Sequence, residues 1–280
     1  MSPSRILSSR AVEVWLAVGV CSSVLVLIGF GYLATREWKR SSALVVERRE
    51  NQAADLLVTA LTRDMQAVQR SVLSSAEWDV STLDSPYDLA NIVASAFARY
   101  PYPEAFFADR GTLNVAKTMF FTRSNRPPPW APADSGSARF PVSLQTGAPI
   151  AQQIVNRIAS DAASGRRFSI FDMDAAGTRY QVVARLIYRD QLREHLDGIF
   201  GFVVNMSWAR QHYFNDLTSQ VARIGGPMSG LVLGVSDDVG AQVATTQTAA
   251  GAGPARRRTF PLTFFDPLLI AVDQDRKSVV

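Results

Sequence analysis

The sequence predicts an α+β chain: an N-terminal transmembrane helix continuing into a long helix, then a domain built on a five-stranded antiparallel sheet flanked by helices. Three observations predict it. The stretch Val14 to Ala34, VWLAVGVCSSVLVLIGFGYLA, carries no charge. From Arg36 to Ser75 no Pro or Gly interrupts a stripe of apolar residues spaced by three and four. Three β-rich runs between residues 167 and 206 then follow one another across short polar connections, as an antiparallel meander requires.

Composition bounds what such a chain does. With 280 residues, 47% of them hydrophobic and 19% charged, it is long enough for a real core beside a membrane segment. The formal net charge of +4 is dispersed, apart from Arg256, Arg257 and Arg258. Dispersed charge describes a solvated surface and not a nucleic-acid stripe. Cys21 is the sole cysteine, which excludes an intrachain disulfide, a cysteine-ligated zinc and an iron–sulfur cluster. Val20 stands before it where a lipoprotein needs a small residue.

At 1.5 Å per residue the stretch from Val14 to Ala34 is about 30 Å of helix, the thickness of a bilayer core. Trp15 and Tyr32 stand at its ends, where amphipathic rings favour the membrane interface. It exceeds a signal-peptide core of about 7–15 residues and no small-x-small cleavage site follows, so it reads as an uncleaved, single-pass anchor after a short tail, residues 1–13. Arg5 and Arg10 precede it, whereas Arg36, Lys39, Arg40, Arg48 and Arg49 follow it. A positive-inside count therefore places the large domain in the cytoplasm, although a long domain translocates regardless of its flanks. The last apolar run, Phe260 to Val272, is too short for a second span and contains Pro261, Asp266 and Pro267.

The long membrane-proximal helix is expected over residues 35–75, with Ala54, Leu57, Leu61, Met65, Val68 and Val72 on one face. That spacing also suits a homodimer seam. Ser85 caps the next helix, Pro86 opens it, Leu89, Ile92, Val93, Ala96 and Phe97 form its inner face, and Pro101 ends it. Strands follow in PEAFFADRG and VAKTMFFTR, then a Pro- and Ser-rich surface insertion, SNRPPPWAPADSGSARFPV. Ile150 to Ala162 is amphipathic, with Ile150, Ile154, Val155 and Ile158 inside. The meander runs over Arg167–Asp174, Arg179–Arg189 and Leu196–Met206; its third strand, apolar on both faces, is expected at the centre. A helix with Ser207 as N-cap buries Ala209, Tyr213, Leu217, Val221 and Ile224. SGLVLGVSDD is read as a strand, AQVATTQTAAGAGPA as loop, and Phe260–Val272 as a final strand.

Strand, strand, helix and three antiparallel strands is a PAS-like order, placed over residues 76–275. GFVVNMSWARQHYF and FPLTFFDPLLIAV resemble the extracytoplasmic input region of bacterial membrane-bound sensor histidine kinases over Arg36 to Asp275. These are strand and helix-start patterns and not chemical motifs. The resemblance implies a bacterial inner membrane with the C-terminal domain outside the cytoplasm, a second membrane helix beginning near residues 276–280, a kinase core beyond it, and a response regulator as that kinase's partner.

Chemistry is sparse. No P-loop, GxSxG elbow, GxGxxG or paired-histidine metal motif occurs, so the chain is expected to be no enzyme, with no catalytic residue, metal or cofactor. His195 reads as a loop histidine. His212 lies one turn from Trp208 and from Asp216, a pair able to report pH or help hold a metal, or simply to lie on the surface. Asp172 with Asp174, and Asp237 with Asp238, suit turn chemistry as well as acid–base work. A pocket on the concave face of the sheet is expected to use Tyr180, Arg185, Tyr188, Phe107 and Phe121. Arg185 suits a ligand carboxylate, or else faces solvent or pairs with Asp172.

The function expected from all this is a membrane-anchored sensing input domain of a two-component histidine kinase. It works as a homodimer through the long helix, reads a small ligand or envelope cue, and has no nucleic-acid partner. A single-pass envelope interaction or assembly protein is the alternative, and a tethered hydrolase a third reading that lacks a nucleophile–base pair.

Overall fold

The uninterrupted stripe after the apolar stretch folds as one helix, α1 (Ser4–Met65). In this computed structural model residues 4–74, 80–131, 140–224, 232–246 and 256–270 are described, and the chain divides into two units, Met1–Ala54 and Asp55–Val280. The first unit is helix alone, and from residue 14 onward it is long and apolar enough to cross a membrane. The described side chains of that stretch are exposed, Trp15, Leu27 and Tyr32 among them.

The second unit begins inside α1, twenty residues after the expected membrane stretch ends, and its core claims Leu57, Leu61, Met65 and Val68. Beyond Met65 the helix closes with a π-helical turn, Gln69–Leu73. That wider turn inserts one residue into the repeat, so Leu73 is buried where the stripe predicted Val72. A short α2 (Val80–Leu83) follows. In α3 (Pro86–Arg99) the Ser85 side chain accepts from the Asp88 backbone N–H, and Leu89, Val93, Ala96 and Phe97 are buried.

The sheet has six antiparallel strands and not five, in the order β3-β2-β1-β6-β5-β4. They are β1 (Pro103–Asp109), β2 (Met119–Arg123), β3 (Val142–Thr146), β4 (Phe168–Ala175), β5 (Thr178–Tyr188) and β6 (Leu196–Asn205). The extra strand is β3, which lies in and just beyond the stretch read as a surface insertion. Its sequence, VSLQT, is too polar to announce a strand, and pairing along β2 from Met119↔Thr146 to Arg123↔Val142 supplies what propensity lacks. The meander β4-β5-β6 forms as predicted, and β6 lies between β1 and β5, buried from Gly198 to Val204. The first hairpin turns through Ala176 and Gly177, both at positive φ, as a two-residue connection of this twist demands.

Helices cover both faces. On one, α4 (Ala151–Ala163) presses Ile154 and Ile158 onto Phe107, Phe120, Val182, Ala184 and Val203. On the other lie the end of α1, α3 and a helix interrupted by a second π-helical turn: α5 (Met206–Trp208), Ala209–Tyr213, then α6 (Phe214–Ile224). Asn205, not Ser207, caps α5, accepting from the Trp208 backbone N–H at 3.0 Å, because β6 ends one residue earlier than its pattern implied.

Two further expectations change. Gln242–Thr245, read as loop, is a strand, β8, paired with β7 (Gly234–Ser236) in a separate two-stranded sheet. The final apolar run is not a strand. Residues 256–263 have no ladder partners, with the Thr263 N–H donating back to the Pro261 carbonyl oxygen at 3.0 Å, and a helical turn occupies 267–270, while residues 271 onward lie outside the described residues. Side-chain bonds fasten this segment instead. Phe264 is wholly buried with its ring centroid 4.7 Å from that of Tyr102, and its N–H donates to Gln181 Oε1.

Candidate functional site

The residues singled out in the sequence divide between the two faces, because alternate residues of a strand point to opposite sides. Phe107, Tyr180 and Tyr188 belong to the α4 face. Phe121 and Arg185 belong to the other, which also receives α1. There Phe121 pairs in register with Phe106, itself stacked on Phe200 and against Phe97. Arg185 donates to the carbonyl oxygen of Leu73 at 2.6 Å, tying β5 to the last residue of the π-helical turn. Burial lowers its pKa, with Arg167 nearby adding to the effect. The Asp172 carboxylate is engaged instead by Arg179 at 2.6 Å and by Gln181.

The α1 face is closed by polar bonds. Tyr213 donates to Asp64 at 2.6 Å, and the Tyr102 hydroxyl accepts from Val68 N–H at 3.1 Å while lying 3.0–3.1 Å from the Asp64 and Met65 carbonyl oxygens. Burial raises the pKa of Asp64 above the ordinary carboxylate value, and the Tyr213 hydrogen bond opposes the rise. Arg70 reaches Asp266 at 2.6 Å, and Asp266 N–H donates to Gln69 Oε1. Arg258 pairs with Asp55 at 2.7 Å. The end of α1 and the segment 256–270 are thus bound to each other and to the same sheet face.

The α4 face is different at the end where β1 and β5 begin and β2 and β6 finish. A bulge in β1 between Pro103 and Ala105 sets Glu104 out of the regular pairing. The Glu104 side chain is almost fully buried, and its Oε2 has no hydrogen-bond partner. Burial raises its pKa; Asn205 and the charge of Arg126 pull it back. Tyr180, in register with Asn205, is fully buried. Its hydroxyl lies beside Thr178 and Trp130 without the geometry of an ordinary hydrogen bond, and burial and Glu104 both raise its pKa. Trp130 comes from the Pro-rich stretch, packs edge-on against Phe120 at 5.6 Å, and leaves its indole N–H unpaired.

Arg126 completes this end. Its guanidinium lies 3.7 Å from the centroid of the Trp208 ring and donates to the Pro101 and Pro103 carbonyl oxygens, but its Nε is buried without a partner. The neighbouring Arg123 is held by the Phe97, Tyr100 and Pro103 carbonyls, and burial pulls its pKa down to about 10. Gln145, on β3 opposite Phe120, has both amide atoms buried and unpaired. Among the described residues nine buried side-chain polar atoms lack a partner, and six of them belong to Glu104, Arg126, Trp130, Gln145 and Tyr180. Such atoms each cost about 1–3 kcal/mol, so Glu104, near Arg126 and Tyr180, with Trp130 beside Tyr180, marks a place built for a polar partner, while Gln145 lies apart on β3.

Of these five residues sequence reasoning found only Tyr180. A carboxylate inside the otherwise uncharged run PYPEAFFA was the available signal for Glu104; Trp130 and Gln145 had none, since only tertiary pairing brings them inward. His212 is exposed, its ring stacked on Trp208 at 5.4 Å, and Asp216 is exposed one turn on. His195 bonds Asp190 in the loop between β5 and β6.

No family model matches the chain, and no curated protein matches it. Among solved structures, the Vibrio cholerae LuxQ periplasmic domain overlaps 73% of this chain and 81% of that one at 12% identity and a TM-score of 0.37. A structure described as methyl-accepting chemotaxis protein X overlaps 86% and 84%, also at 12% identity and a TM-score of 0.37. Overlap at that level establishes neither fold nor function.

Proposed function

We propose that this chain is the membrane-anchored sensing input domain of a two-component histidine kinase, with a PAS-like sheet outside the cytoplasm reading a small ligand or envelope cue. With β3 set aside, the order strand, strand, helix, three antiparallel strands is the PAS-like order. The observation that carries the reading is the division of labour across the sheet. One face gathers unpaired polar groups under α4, while the opposite face holds the end of α1 and the segment 256–270. A change in the first shifts β5, and β5 is bonded through Arg185 to the turn that ends α1.

In this reading the chain itself carries out no catalysis. A kinase portion on the same polypeptide phosphorylates a response regulator, two copies associate through α1, and the anchor lies in the inner membrane. Tyr180 with its neighbours and Phe107 serve the ligand side; Arg185 serves transmission.

A cysteine experiment tests this in membranes. In a Cys21→Ala background, Leu192→Cys, at an exposed position, is treated with a membrane-impermeant maleimide in spheroplasts. Labelling without lysis is expected, and labelling only after lysis overturns the extracytoplasmic location. Leu44→Cys, likewise exposed, is oxidised in the same membranes. A cross-linked dimer whose rate of formation changes when Asp266→Asn loosens the bonded segment is expected. A rate indifferent to that change leaves an envelope interaction protein as the better account.

A further inference from the structure

We infer that the cluster at Glu104, Arg126, Trp130 and Tyr180 takes a small, uncharged, hydroxyl-rich molecule, a polyol or monosaccharide. The inference rests on the sensor reading for its purpose but on the cluster alone for its chemistry. The donors are the Trp130 indole N–H and the Arg126 Nε–H; the acceptor is Glu104 Oε2; the Tyr180 hydroxyl does either. Donors and acceptors in nearly equal number, with Glu104 near Arg126 and Tyr180 and with Tyr180 near Trp130, match a ligand whose every polar group both donates and accepts. A hydroxyl does this, whereas an ammonium only donates and a carboxylate only accepts.

Charge points the same way. Glu104 and Arg126 lie close enough to stabilise each other's ionised forms, each against its own burial. As a pair they carry no net charge, so an ionic ligand here would be buried without compensation, at a cost that a neutral one avoids. Between the polar atoms stand the rings of Trp130 and Phe120, edge to face, which offer apolar surface to the C–H side of such a molecule.

The test uses the full chain in detergent micelles or nanodiscs. Calorimetric titration is run with D-ribose, D-glucose and myo-inositol, and in parallel with L-alanine, putrescine and succinate. Binding of at least one neutral compound is expected, weakened about tenfold or more by Tyr180→Phe, which removes one hydroxyl and no volume that packing needs. Glu104→Gln is the second variant; it keeps the shape but exchanges an acceptor for a donor, and the same loss is expected. Arg185→Met, on the opposite face, is expected to leave affinity unchanged. Absence of binding by all three neutral compounds, or binding that neither variant weakens, overturns the inference. Preferential binding of a charged compound sensitive to Tyr180→Phe also overturns the polyol class while leaving the sensor reading intact. Polyol binding that leaves the Leu44→Cys cross-linking rate unmoved does the reverse.

Discussion

The two faces of the sheet are built from similar apolar strands and differ in how they treat polar groups. Where α1 packs, Tyr102, Tyr213, Asp64, Gln69, Arg70 and Asp266 are bonded across four segments distant in sequence, and the atoms left unpaired among the described residues are the Gln69 amide nitrogen and the Ser74 and Thr263 hydroxyls. Under α4, Glu104, Trp130 and Tyr180 are as deeply buried yet keep unpaired atoms. A folded chain satisfies buried polar groups unless something else is served by leaving them open. The contrast separates a face selected to hold together from a face selected to receive.

The strongest way to break this comparison is to attack the closed face at its centre. Phe264 is fully buried among the rings of Tyr102 and Tyr213. Phe264→Ala is expected to cost about 3–5 kcal/mol, read as a lowered denaturation midpoint. An effect under about 1 kcal/mol would show that the segment 256–270 is not part of the fold.

Tyr213→Phe is next. It leaves a half-buried carboxylate without its donor, at an expected cost of about 1–2 kcal/mol near neutral pH. The sign with pH follows from Asp64. Burial holds its folded pKa above the ordinary 3.8, so its protonated form favours the folded state below that value, and the benefit is lost as pH rises through the folded pKa. Removing the Tyr213 hydroxyl, which lowers that pKa, lets it climb further. The gap between variant and parent is therefore small in acid below 3.8 and widens toward neutrality, which urea unfolding across that range measures. A gap independent of pH would mean that the hydroxyl does not serve Asp64.

Arg185→Met is milder. It removes the donor to the Leu73 carbonyl, which is partly accessible to water once the guanidinium is gone, and about 1 kcal/mol is expected. The residue also shows what sequence can and cannot reveal. An arginine inside a β-branched strand is conspicuous, and its interest was legible; its partner, 112 residues away, was not. Periodicity gave the meander, the central place of β6 and the inner faces of α3 and α4, since each depends on neighbours in sequence. It missed β3 because VSLQT becomes a strand only by pairing along β2, and it misread Phe260–Val272 because apolar content alone does not distinguish a strand from a segment buried by a single Phe. The π-helical turn at Gln69–Leu73 moved the buried stripe by one residue, which no helical period anticipates. The candidate site suffered most, since Glu104 lies on a bulge and Arg126 and Trp130 come from the connection between β2 and β3.

The smallest expected effect is the sharpest. Tyr180→Phe removes a hydroxyl as deeply buried as that of Tyr213, by the same chemical change, from the same sheet. If the α4 face were closed like its counterpart, the loss would match that of Tyr213→Phe. Because the Tyr180 hydroxyl has no partner, its removal deletes a desolvated group and no bond, so the ligand-free protein is expected to be unchanged or more stable by up to about 1 kcal/mol. Paired urea denaturation of the two variants decides it. A Tyr180→Phe loss equal to that of Tyr213→Phe would mean that the hydroxyl is bonded in solution, and the difference between the faces would disappear. A neutral or stabilising change alongside a costly Tyr213→Phe locates on one side of the sheet the stability that the other side gives up, as a site kept open for a ligand does.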